Sequence, residues 1–418
     1  MSFRNIFIGF SLFILLISAL IYYLYESSYI EVEIKDPNSK AKCMDGSNYK
    51  FLFSKGFDNG TNSFLIYFEG GGFCGDNNFN PNDEYAALKS CYNRKDTSLG
   101  SNKFDFIYRY FFKFAERFLS SSKYFNPIFY NWNKVYLKYC DGTIYMGNLQ
   151  NPIIYNGTKL YIRGEENVKS VFDFLIKNYN FKNSKNVLAS GSSAGGLAVI
   201  FYSKYIRNLL SDKTNYKVIS DYGYFHHGKY KGFNRMDDII MKLQNNLNIV
   251  QTETMKLIDK NLDFFDSSNP IKYINKLNND YPILFLTSSY DSWALKRLVN
   301  STCFFGYKVY DSCSKDEINI FEQYSKNVEN DFVEIIKNDK NKKITAFITK
   351  GFFHTCLFVG WSWKDKTYGV NGYSVQDFIE KWYYNLLPKD KKMYFDNKNI
   401  LKKKVDAFWY NNFFLPDF

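Results

Sequence analysis

The pentapeptide Gly191-Ser192-Ser193-Ala194-Gly195 constrains this chain more than any other stretch. It stands between an apolar run, Val187 to Ala189, and a helix-like run from Leu197 to Leu210. A G-x-S-x-G turn from strand into helix is sharp and strained, and small flanking residues let the serine hydroxyl project outward. The helix that follows brings its N-terminus and the backbone N–H of Ala194 beside the carbon where negative charge develops during acyl transfer. Ser193 is therefore the candidate nucleophile. A serine- and glycine-rich loop can match so short a pattern by chance, and the rest of the machinery decides between the two.

A serine near neutral pH needs a histidine to take its proton and a carboxylate to orient that histidine. The chain has three histidines. His226 and His227 lie side by side in Tyr224-Phe225-His226-His227-Gly228, whereas His354 follows the strand candidate Ile344 to Thr349 across a loop containing Gly351. In α/β-hydrolases the order along the chain is serine, acid, histidine. That order selects His354 as base and leaves His226 and His227 to a pocket wall, the surroundings of the site or the surface. The acid is expected just past a late strand. Tyr281 to Thr287 reads as a buried strand leading into Ser288-Ser289-Tyr290-Asp291-Ser292-Trp293, which points to Asp291. Asp221, at the end of the strand candidate Tyr216 to Ser220, is the competing carboxylate; its other role would be to brace the following turn.

Oxyanion donors in such hydrolases often come from a glycine-rich loop after an early strand. Phe64 to Phe68 is such a strand, and it runs into Glu69-Gly70-Gly71-Gly72-Phe73-Cys74. Glycines let the backbone approach a ligand and aim N–H groups at it. The donors are assigned to Gly72, Phe73 and Ala194. No Gly-Lys-Ser/Thr ending or G-x-G-x-x-G spacing follows, so a phosphate loop is the weaker reading.

A chain of 418 residues with 45% hydrophobic content can bury a large core. Strand candidates near Phe64, Val135, Val187, Val218, Ile283 and Ile344 alternate with helical patterns such as Glu166 to Tyr179 and Leu197 to Leu210. This alternation predicts an α/β-hydrolase-like fold, a mostly parallel sheet with helices on both faces and active residues at strand C-terminal ends. Met236 to Leu247 and Val250 to Leu262 read as amphipathic helices, so residues 228–280 form either a cap or an ordinary insertion packed on the sheet. The aromatic segments Phe104 to Tyr130 and Asp406 to Phe418 fit an acyl or sugar pocket as well as core.

Several blocks together resemble the pectin acetylesterase/Notum family of serine carboxylesterases. They are Cys43-Met44-Asp45-Gly46-Ser47 with Tyr49, then Phe68-Glu69-Gly70-Gly71-Gly72-Phe73-Cys74, then Asn133-Lys134-Val135-Tyr136 with Tyr139-Cys140-Asp141-Gly142. Arg163-Gly164, Gly191 to Gly196, Asp221-Tyr222-Gly223-Tyr224-Phe225, Tyr290-Asp291-Ser292-Trp293 and Phe353-His354 follow in the family's order. The resemblance spans about Cys43 to Tyr384. It implies a Ser193, Asp291, His354 triad acting on acyl esters without metal or organic cofactor. The family often has Cys where Ser192 stands, Trp where Phe73 stands, and cysteines near His354 where Gly351 and Thr355 stand. These departures put some family disulfides in doubt and remove an indole N–H near the oxyanion loop.

Arg4 is followed by mostly apolar residues from Ile6 to Tyr25, a length that spans a bilayer as a helix. Residues 1–30 are accordingly read as a signal anchor or a cleaved signal peptide, and 31–418 as the catalytic domain. With Arg4 before the span and Glu26 after it, that domain is expected outside the cell or in the lumen, as a secreted or single-pass type II protein. The seven cysteines are scattered singly, which agrees with an oxidising compartment. The pairings favoured are Cys43 with Cys140, Cys74 with Cys91 and Cys303 with Cys313, leaving Cys356 free; the sequence leaves connectivity open. Asn59-Gly60-Thr61, Asn156-Gly157-Thr158 and Asn300-Ser301-Thr302 are candidate glycosylation acceptors.

The net charge of +12 is spread along the chain, with local clusters at Lys340 to Lys343 and Lys402 to Lys404. A nucleic-acid partner is not expected in the secretory pathway, whereas a polyanionic glycan such as pectin is compatible with that charge. The expected partner is an acylated carbohydrate, or an acylated protein or lipid, met by a monomer. Two classes of function remain. One is an enzyme hydrolysing acyl esters, either acetyl groups on a polysaccharide or a fatty acyl group on a protein or lipid. The other is a binding protein that retains the fold without activity.

Overall fold

Strands buried on both faces appear in sequence as short, nearly continuous apolar runs, and those runs form the centre of this molecule. The computed structural model describes residues 29–35, 39–76, 82–102, 118–247, 249, 251–261, 270–277, 279–301, 303, 313–357 and 363–396. Its strands are β1 (Ile30–Glu33), β2 (Lys50–Ser54), β3 (Ser63–Phe68), β4 (Asn133–Leu137), β5 (Ile153–Tyr155), β6 (Thr158–Leu160), β7 (Asn186–Ser192), β8 (Asn215–Asp221), β9 (Ile283–Ser288), β10 (Ile344–Thr349) and β11 (Met393–Phe395). Nine of them form one sheet in the order β1-β2-β4-β3-β7-β8-β9-β10-β11, while β5 and β6 make a separate hairpin. From β4 to β11 every pairing is parallel; β1 and β2 add an antiparallel edge. This is the predicted α/β-hydrolase-like architecture.

Alternate side chains of each strand enter different cores. Phe64, Ile66 and Phe68 of β3 and Ile283 and Phe285 of β9 face one apolar layer. Leu65 and Tyr67, with Leu284 and Leu286, face the other. Each such side chain, fully removed from water, contributes about 1.5–3 kcal/mol.

The helices are α1 (Ala86–Arg94), α2 (Gly164–Tyr179), α3 (Ala194–Leu209), α4 (Arg235–Asn246), α5 (Glu253–Lys256), α6 (Pro270–Leu277), α7 (Ser292–Arg297), α8 (Lys315–Asn338) and α9 (Val375–Tyr383). Ser314 and Glu317 form a reciprocal capping box at the start of α8, and Ser374 with Asp377 does the same for α9. The helix expected over Val250 to Leu262 is much shorter. Thr252 accepts a hydrogen bond from Met255 N–H at 3.2 Å and starts a new turn, so the pattern restarts as α5 instead of running on.

The described part of the aromatic segment before β4 belongs to the core. Phe118 packs edge-on against Phe129 and Trp363, and all three are buried, so these rings do not line an open pocket. The remainder of that segment, residues 103–117, and the aromatic tail 406–418 lie outside the described residues. So does the apolar N-terminal segment read as an anchor or signal peptide. Among the described residues no helix is long and apolar enough to cross a membrane.

The three expected disulfides form: Cys43–Cys140, Cys74–Cys91 and Cys303–Cys313. Cys356 is free and buried. Asn59, Asn156 and Asn300 are all exposed.

Candidate active site

The C-terminal ends of β3, β7, β8, β9 and β10 converge, and each delivers one part of the site. Strand β7 ends at Ser192, and Ser193 turns the chain into α3 with φ 56° and ψ −124°. A non-glycine residue rarely holds that conformation, which costs about 1–3 kcal/mol and persists only under close packing. The packing is visible in the flanking glycines. A Cβ on Gly195 would collide with the carbonyls of Phe68 and Glu69, and one on Gly191 with the carbonyl of Gly195. Ser193 N–H donates to Asp221 O at 2.8 Å, which fixes the elbow to the end of β8.

His354 lies past β10, and its Nε2 is 2.7 Å from Ser193 Oγ. Its Nδ1 is 2.7 Å from Asp291 Oδ2. Asp291 follows β9 and caps α7, its Oδ1 accepting from Ala294 N–H at 3.0 Å. One carboxylate thus holds both the helix start and the imidazole. Ser193, Asp291 and His354 are all buried, at 6%, 1% and 6% exposure, so little water screens their interactions. The Trp293 ring stacks on His354 at 5.8 Å and 23° between planes. Phe225 packs against Trp293 at 4.9 Å, and Phe73 against it at 5.6 Å.

The glycine-rich loop sits against the elbow. A Cβ on Gly70 would come within 3.0 Å of Ser193 Cβ, and Gly72 has φ +62°, a conformation glycine takes without strain. Of the three donors expected here, Phe73 departs from expectation. Its N–H donates to Asp76 Oδ2 at 3.0 Å, so it is satisfied inside its own loop. Among the described residues the N–H groups of Gly72 and Ala194 have no protein acceptor. N–H groups left without an acceptor stabilise a negatively charged oxygen placed against them.

Asp221, the competing carboxylate, does not reach His354. It accepts from Ser192 Oγ, from Cys356 N–H at 3.0 Å and from Leu357 N–H at 3.3 Å. Burial pushes its carboxyl above the usual range, and these hydrogen bonds oppose the shift. His226 and His227 are engaged elsewhere. His226 Nδ1 pairs with Asp331 of α8, and His227 Nδ1 with Asp237 of α4.

Two residues of the site were not legible from motif spacing. Asp76 closes the glycine-rich loop on itself, and Arg94 Nη2 donates to Gly71 O at 2.6 Å. The Cys74–Cys91 bond was the available signal, because it carries the end of α1 to this loop.

The family model described as pectinacetylesterase matches residues 26–409. Pectin acetylesterase 7 of Arabidopsis thaliana is 32% identical over 286 residues, 66% of this chain and 66% of that protein. A palmitoleoyl-protein carboxylesterase NOTUM of Schmidtea mediterranea is 30% identical over 189 residues, 44% of this chain and 32% of that one. The crystal structure of the Wnt deacylase Notum from Drosophila superposes with a TM-score of 0.68 at 16% identity, covering 89% of this chain and 97% of that chain. The matched region therefore spans about two thirds of the plant relative's length and a third of the planarian one.

Proposed function

The chain belongs to the pectinacetylesterase family of carboxylic ester hydrolases, and on that footing we propose that it removes O-acetyl groups from a polysaccharide such as pectin through an acyl-enzyme on Ser193. The observation that carries this reading is the continuous relay Asp291–His354–Ser193, with 2.7 Å at each junction. Ser193 Oγ attacks the ester carbonyl while its proton passes to His354 Nε2. Asp291 holds the imidazole in the tautomer that can accept it and stabilises the imidazolium that forms. Gly72 and Ala194 N–H groups receive the developing oxyanion. The alcohol leaves with the proton from His354; water, deprotonated by the same nitrogen, then releases the acid and restores Ser193.

The acetyl assignment is supported by the likeness to the plant pectin acetylesterases; Phe73 and Phe225, buried against Trp293, form an apolar wall beside the histidine. A second reading, removal of a fatty acyl group from a protein, is favoured by the likeness to the palmitoleoyl-protein carboxylesterases. The three disulfides support action in an oxidising compartment, outside the cell or in the lumen.

The test is an acyl-length series of p-nitrophenyl esters, acetyl to palmitoyl, on the parent and on Ser193→Ala. The parent should prefer acetyl, and Ser193→Ala should be inactive yet folded. Preference for palmitoyl would favour the second reading, and undiminished turnover by Ser193→Ala would reject this nucleophile.

A further inference from the structure

We propose that Arg94 is a positioning residue that sets the oxyanion loop, by holding the Gly71 carbonyl so that the N–H of Gly72 faces the reacting ester. The proposal rests on the reading of Ser193 as nucleophile.

Gly71 and Gly72 have φ +142° and +62°, in regions where a glycine backbone has many alternatives. A glycine triplet therefore needs an external restraint to keep one peptide orientation. Arg94 supplies it. Its Nη2 donates to Gly71 O at 2.6 Å, and its Nε donates to Leu99 O at 3.2 Å. The described residues contain no cis peptide bond. In a trans peptide the C=O and the following N–H point in opposite directions. Fixing the Gly71 carbonyl on the guanidinium side thus fixes the Gly72 N–H on the other side. A charged donor on the carbonyl also polarises the peptide, which strengthens its N–H as a donor.

The arginine is itself well held. It closes α1, one helical turn after Cys91, whose bond to Cys74 ties that helix to the end of the oxyanion loop. The guanidinium lies over the Tyr139 ring at 5.2 Å. Its backbone carbonyl accepts from Thr97 N–H and Thr97 Oγ1 at 3.0 and 2.7 Å. Tyr139 N–H in turn donates to Glu69 Oε2 at 2.7 Å, at the start of the same loop. Tyr139 and the disulfide thus both bear on a loop whose orientation decides one oxyanion donor.

The test compares full-length parent, Arg94→Ala and Arg94→Met on p-nitrophenyl acetate, with Ser193→Ala as control. Methionine keeps an apolar stem against Tyr139 while removing every donor, and so preserves the fold if alanine does not. Losing a whole oxyanion donor costs about 10²–10³ in kcat, so misorienting one should lower kcat about 10- to 100-fold with KM nearly unchanged. Inhibition by a short alkyl trifluoromethyl ketone, which Ser193 would convert to a tetrahedral alkoxide, should weaken in parallel. Guanidinium ion at millimolar concentration should restore part of the activity of Arg94→Ala. Parent-like kcat in either folded variant overturns the proposal, and so does a loss of kcat with unchanged ketone affinity and no guanidinium rescue. If Ser193→Ala retains turnover, the underlying reading fails instead.

Discussion

Asp221 accepts a hydrogen bond from the backbone N–H of Cys356 at 3.0 Å, two residues past His354, while Ser192 donates to the same carboxylate one residue before Ser193. A single buried side chain therefore ties the serine elbow to the histidine loop, with no hydrogen bond to the Ser193 hydroxyl or the His354 ring. The strand order makes this possible, since β8 lies beside β7, whose end carries the elbow.

Asp221→Asn should loosen that tie. An amide nitrogen turned toward the Cys356 and Leu357 N–H groups leaves donors facing donors in a dry interior, which costs about 1–3 kcal/mol. Urea unfolding should register that loss, and kcat should fall with it. A variant as stable and active as the parent would show that the two loops hold their geometry independently.

Asp291→Asn keeps an oxygen to cap α7 and should fold normally. It also removes the negative charge that lies 2.7 Å from His354 Nδ1. By analogy with triads in general, kcat should drop by about 10⁴ while KM changes little. Steady-state kinetics on p-nitrophenyl acetate provides the check.

Phe225→Leu should widen acyl tolerance. Phe225 packs against Trp293, which stacks on His354, so shortening it opens space beside the His354–Ser193 pair. Each methylene newly accommodated is worth about 0.8 kcal/mol, so the butyrate-to-acetate ratio of kcat/KM should rise about tenfold. An unchanged ratio would place the acyl chain elsewhere.

Asp141 carries a pH signature. Burial raises its carboxyl from 3.8 to about 6, against the opposing hydrogen bond from Thr143. In the window between these values the folded chain binds more protons than the unfolded one. Its contribution to stability is thus fully present below about 4 and is lost as pH rises through about 6. Asp141→Asn should flatten the decline in unfolding free energy over that window, measured by urea titration at successive pH values.

Much of this was legible in the chain because local rules and the fold agree. The strands near Phe64, Val187, Val218, Ile283 and Ile344 are apolar runs of the kind that only a doubly covered sheet requires, and all of them form. Ser193, Asp291 and His354, singled out by their order and strand-end positions, are brought within hydrogen-bond distance of one another. The edge strands were harder. Ile30–Glu33 alternates apolar with charged residues, Lys50–Ser54 sits beside a turn-rich block, and neither resembles the central strands. The long helix α8 is masked locally by its many Asn and Lys residues, although Phe321, Tyr324, Val328, Phe332 and Ile335 recur at helical spacing on its buried side. The fate of Phe73 N–H could not be read either. It depends on Asp76, three residues on, folding back beneath a glycine turn, and a sequence does not show which way such a turn faces.

The most direct measurement is active-site labelling of the folded protein with a fluorophosphonate, followed by peptide mapping. The relay His354–Ser193, at 2.7 Å, predicts one phosphonyl group per chain, on Ser193, and no labelling of His354→Ala. Absence of label from the parent, its attachment to another residue, or equal labelling of His354→Ala would contradict the account.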